Sequence, residues 1–115
     1  MRSSIAAFLL CVLIISAQAE DCIASIYGIG DPSRPGTQTA SGIPLNDDAM
    51  TAAHKSLPFR SKVKVINKAN GNSVTLTITD RGPFVTGRCI DVTKAGARAL
   101  GIAGLSPVSV VRAVD

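Results

Sequence analysis

Two alternating runs face each other across a short polar gap in the middle of the chain. In the first, Val63 and Val65, with Asn67 next in phase, share one side while Lys62, Lys64 and Ile66 take the other. In the second, Val74, Leu76 and Ile78 alternate with Ser73, Thr75, Thr77 and Thr79. A period of two is that of a strand with one face buried. The gap, Ala69-Asn70-Gly71-Asn72, carries the Asn-Gly pair favoured in tight hairpins. The two runs therefore predict a β-hairpin.

The rest of the chain is punctuated more finely. Cys22 to Tyr27 reads as a short strand, and Gly28 to Gly42, rich in Gly, Pro, Ser and Thr, as a loop. Ala49 to His54 reads as a helical turn ahead of Leu57-Pro58. Asp80-Arg81-Gly82-Pro83 ends the second hairpin strand in a turn, and Arg88 to Val92 begins another strand. Thr93 is placed to cap a helix that runs to Leu100, with Gly101 to stop it and Ala95, Ala99 and Leu100 as a narrow apolar face. Pro107 then admits a final strand, Val108 to Ala113. Five or six short strands and one small helix predict a mainly β domain, a small closed barrel rather than a sandwich. From residue 20 onward the aromatics are Tyr27, Phe59 and Phe84 alone, so the core must be built from Val, Ile, Leu and Ala.

The first nineteen residues follow a different pattern. Arg2 gives a positive start, Ile5 to Ile15 is unbroken apolar sequence, and Ala17-Gln18-Ala19 has the form of a signal-peptide cleavage site. An eleven-residue run is well short of the roughly 20 that span a bilayer. Cys11 lies inside that run and Cys22 follows Glu20-Asp21, so neither suits lipid attachment. The expected mature chain is residues 20–115, a single domain with no stable membrane anchor, periplasmic or secreted.

Without Arg2 the net charge is +3, with no basic run and no aromatic stacking series, which argues against a nucleic-acid partner. Cys22 and Cys89 remain after processing. An even pair in an oxidising compartment predicts one Cys22–Cys89 disulfide; two separate buried thiols are the alternative. Two cysteines and one histidine fall short of a structural zinc set, so neither metal nor other cofactor is expected.

Three stretches together resemble the rare lipoprotein A (RlpA) family. They are Ala24-Ser25-Ile26-Tyr27-Gly28, then Thr39-Ala40-Ser41-Gly42 with Met50-Thr51-Ala52-Ala53-His54 and Leu57-Pro58-Phe59, and last the run from Asn67 to Gly101. That run contains Asp80-Arg81-Gly82-Pro83-Phe84 and Gly87-Arg88-Cys89-Ile90-Asp91-Val92. The resemblance implies a six-stranded double-psi β-barrel with one or two short helices. It also implies an endolytic peptidoglycan lytic transglycosylase whose partner is the glycan strand. In such an enzyme the sugar's own C6 hydroxyl attacks the anomeric carbon, leaving a 1,6-anhydro end. One carboxyl group can then serve as acid first and base second, provided its surroundings raise its pKa. Asp at a turn is by itself commonplace as a cap. The resemblance makes Asp80 the catalytic residue and sets His54 beside it as a positioning donor. Arg81 is expected to pair with Asp91 structurally. The family continues its Thr-Ala-Ser-Gly stretch with a glutamate, where this chain has Ile43; Asp47 or Asp48 could reach the groove from the same loop. Ile43 keeps a second expectation open, a non-catalytic, expansin-like glycan-binding or wall-loosening module.

Overall fold

The computed structural model describes residues 18–31 and 36–112. The leader expected over residues 1–19 lies outside them apart from Gln18 and Ala19. Among the described residues no helix is long and apolar enough to cross a membrane. Six strands are present: β1 (Ala19–Ile26), β2 (Thr51–His54), β3 (Lys62–Asn67), β4 (Ser73–Asp80), β5 (Arg88–Val92) and β6 (Ser106–Arg112). They close into one barrel in the order β1-β5-β2-β4-β3-β6. β1 with β5 and β2 with β4 run parallel, and the remaining neighbours are antiparallel. One short helix, α1 (Lys94–Leu100), packs outside the barrel on β4 and β5. This is the mainly β, six-stranded barrel that the chain's resemblance implied, and its closure leaves no strand edge open for pairing.

The hairpin forms in the expected register, with Val63 opposite Leu76 and Val65 opposite Val74. Val63, Val65, Leu76 and Ile78 are fully buried, alongside Ile90, Val92 and Val108 from β5 and β6. Asn67 is buried in phase with the two valines. Its Nδ2 donates to the Leu100 carbonyl at 2.9 Å and its Oδ1 accepts from the Ala69 amide at 3.0 Å. Asn70 Nδ2 donates to that same carbonyl at 3.1 Å. The hairpin turn and the end of α1 are thus tied by side-chain amides.

α1 begins and ends where its capping residues predict. Thr93 Oγ1 accepts from the Gly96 amide at 3.2 Å, and Gly101 stops the helix in a left-handed conformation with φ 72°. A Cβ at Gly96 would lie 3.3 Å from Leu76 Cδ2, so glycine there lets the helix approach β4 closely. Its buried apolar face is Ala95, Ala97 and Leu100, with Ala97 in the place expected for Ala99.

One element differs in kind. The segment expected as a helical turn contains β2, a strand set between β4 and β5. Alanine favours helix in isolation. Here Ala52 and Ala53 are fully buried within the closed sheet, and that tertiary setting overrides local propensity. The Cys22–Cys89 disulfide joins β1 to its parallel neighbour β5, with 5.8 Å between the Cα atoms.

Candidate active site

β4 ends on Asp80, which is buried where the strand meets the groove. The side chain is 2% exposed, and Oδ1 accepts from the amides of Ala40 at 2.9 Å and Arg81 at 2.8 Å. The Ala40 amide arrives because the Thr39–Gly42 stretch runs beside the end of β4, where the Ser41 amide also bonds the Thr79 carbonyl at 3.2 Å. Two amide donors on one oxygen fix the orientation of the carboxyl group. Beyond Asp80 the chain turns through 81–87. Arg81 Nη1 donates to the carbonyls of His54 at 3.2 Å and Leu57 at 2.8 Å, and its guanidinium lies 4.0 Å over the Phe59 ring. Asp91 accepts from Ser25 Oγ, directly across the β1–β5 pair.

These segments wall a groove of about 500 Å³. Asp31, Asp80 and Asp91 bring three carboxylates to it, and Arg81 and Arg88 bring two cations. Phe84 stands at its rim, 80% exposed, next to a half-exposed Val85. A pocket combining apolar surface with a few convergent charged groups has the general form of a ligand site.

Of the residues expected here from sequence, Asp80 lines the groove and the side chain of His54 does not. His54 Nδ1 accepts from the amides of Ser56 at 3.1 Å and Leu57 at 3.2 Å. Its ring proton therefore sits on Nε2, which donates to Glu20 Oε1 at 3.0 Å. His54 meets the Asp80 region through the backbone, by its carbonyl's bond to Arg81. Asp47 and Asp48 stay out of the groove as well. Asp47 pairs with Lys94 at 3.4 Å and Asp48 with Arg98 at 3.3 Å, fastening their loop to α1. Ile43 is half-buried, with its amide bonded to Ser41 Oγ, and it does not line the groove. Glu20, Cys22 and Cys89 gather their ligand atoms within 4.8 Å of one another, but the two sulfurs are bonded to each other.

Asp91, Tyr27 and Phe84 also face the groove, and none of them stands out as a site residue in the sequence. For Asp91 a signal exists: it is a charged residue between Ile90 and Val92, so strand alternation puts it on the face opposite theirs. Which groove that face borders depends on β1 pairing with β5, a contact some 66 residues apart along the chain.

The model of the lytic transglycolase family matches residues 19–111. A protein from Nostoc sp. named "Probable endolytic peptidoglycan transglycosylase RlpA" is 51% identical over 90 residues, covering 76% of this chain and 24% of that protein. The endolytic peptidoglycan transglycosylase RlpA of Pasteurella multocida is 47% identical over 89 residues, covering 77% of this chain and 29% of its own length. The chain thus spans less than a third of either relative. Among solved structures, the Clavibacter michiganensis expansin superposes with a TM-score of 0.65 at 23% identity, over 85% of this chain and 52% of that one. The Streptomyces papain inhibitor gives 0.63 at 16% identity, over 84% of this chain and 96% of that one. Proteins this distant share the fold and need not share chemistry. With a family match along nearly the whole described barrel, the chain belongs to the lytic transglycolase family of double-psi β-barrel domains.

Proposed function

We propose that this domain is an endolytic peptidoglycan lytic transglycosylase, with Asp80 as its acid and base. The observation that carries this is one buried carboxylate held by two backbone amides on the wall of an open groove. Asp80 in its acid form donates a proton to the glycosidic oxygen as that bond to the anomeric carbon breaks. The same carboxylate then takes the proton from the C6 hydroxyl as its oxygen bonds the anomeric carbon. The products are a free hydroxyl on one fragment and a 1,6-anhydro ring on the other, and no water is consumed. One fixed group can serve both steps because it is left in the correct protonation state by the first. The names of relatives about half identical to this chain support that chemistry.

The exported protein, expected to begin at Glu20, is incubated with peptidoglycan sacculi and with glycan strands stripped of stem peptides, in water enriched in ¹⁸O. Mass spectrometry should find anhydro-ended fragments without the heavy isotope. Fragments with ordinary reducing ends carrying ¹⁸O would mean hydrolysis and would overturn the assignment. The same reading places the protein beyond the cytoplasmic membrane, where a Cys22–Cys89 disulfide persists. Acylated protein, or protein held in membranes with an intact N-terminus, would refute the soluble exported form.

A second reading, a glycan-binding module that loosens walls without cutting, draws on two observations. Ile43 stands where the family has a glutamate, and the His54 ring bonds Glu20 rather than Asp80. Strands bound but not cut by the exported protein are its signature.

A further inference from the structure

Among the described residues, Phe84 is the most exposed of the large apolar side chains, at 80%. The loop that carries it is not loose. Arg81 anchors it to the His54 and Leu57 carbonyls, the Arg88 amide bonds the Val85 carbonyl at 3.0 Å, and the Ile23 amide bonds the Gly87 carbonyl at 3.1 Å. A pinned loop that keeps an aromatic ring in water supplies surface to something other than its own core. The ring has no hydroxyl, so it offers only a flat apolar face and its edge.

The groove beside it sets the charged groups of Asp80, Asp91 and Arg88 among apolar lining from Ile26, Tyr27 and Leu45. A groove of mixed charged and apolar lining with a flat apolar ring at its rim complements a ligand that carries both kinds of surface. A pyranose ring is such a ligand, with hydroxyls around its edge and C–H groups on its face. We propose that Phe84 is a sugar-stacking subsite, on which one pyranose of the bound glycan rests while the next units enter the groove. This rests on the glycan-strand reading above. Phe84 is four residues beyond Asp80, so their Cα atoms lie within about 14 Å. Stacking there sets which glycosidic bond is presented to the carboxylate.

The test uses the exported protein in an Asp80→Asn background, so that no strand is cut during titration, and glycan strands stripped of stem peptides as the probe. Phe84→Ala should weaken binding about tenfold, about 1.4 kcal/mol. Phe84→Leu, apolar but not flat, should bind as poorly as the alanine variant, and Phe84→Trp should restore affinity. The melting temperature should hold across the series, since so exposed a side chain holds nothing together. Unchanged affinity in the Phe84→Ala variant, or retained affinity in the leucine variant, overturns the subsite while leaving glycan binding intact. Failure of the Asp80→Asn protein to bind strands at all overturns the glycan reading itself, and the subsite with it.

Discussion

β4 is entered through residues 68–72 and left through residues 81–87, and the two connections treat their side chains in opposite ways. In the first, the carboxamide of Asn70, with that of Asn67 at the end of β3, turns inward to reach the Leu100 carbonyl. None of the exposed large apolar side chains lies there. In the second, apart from Arg81, the anchoring bonds are made by backbone, and Phe84 and Val85 stand exposed beside the groove. A connection whose side chains bond the rest of the fold is closing the structure. A connection held by its backbone, with apolar side chains turned out beside a groove, is presenting them to a ligand.

Substitutions should therefore separate cleanly by side. The largest effect belongs to Asp80→Asn, which should lower anhydro-product release on the order of 10²–10⁴-fold. Its thermal melt should change little, because the asparagine oxygen still accepts from the Ala40 and Arg81 amides; unchanged product release would break the comparison at its centre. Next, replacing Cys22 and Cys89 by serine removes a crosslink across 67 residues and should cost about 4 kcal/mol in the chain-entropy account. Denaturant titration of the serine pair against the oxidised protein reads this directly, and cleavage at a temperature where both are folded should be similar. Asn67→Ala, on the other side, should cost about 1–3 kcal/mol by removing two hydrogen bonds of a buried side chain. A drop in cleavage per folded molecule would show that the hairpin turn is not purely structural. Smallest is His54→Ala, expected to slow cleavage less than about tenfold, about 1.4 kcal/mol. A loss as large as that of Asp80→Asn would move His54 into the chemistry and away from its support of the Ser56 and Leu57 amides.

Local chemistry explains which parts of this fold were legible. The β3–β4 hairpin and α1 carry their own signals: alternation, an Asn-Gly turn, a Thr cap and a Gly stop. β2 does not. Ala52 and Ala53 are small because they sit between two other strands, and small residues without context read as helix. Asp80 drew attention through its Asp-Arg-Gly-Pro setting, since an aspartate at a turn says little on its own. The Glu20–His54 bond joins residues 34 apart and exists only once β1, β5 and β2 are side by side. Asp91 is the same kind of case, a strand residue whose neighbours across the groove come from β1 and the end of β4.

Ala19 lies opposite Val111 in the antiparallel β1–β6 pair. The chain thus enters and leaves the barrel at nearly the same point. A unit with its two ends together can be set into the middle of a longer polypeptide, or appended to either side, without prising apart any strand. In engineering terms the barrel is a cassette. Spliced between two unrelated folded segments through short flexible spacers, it should keep its groove intact and move from one carrier to another as a single piece.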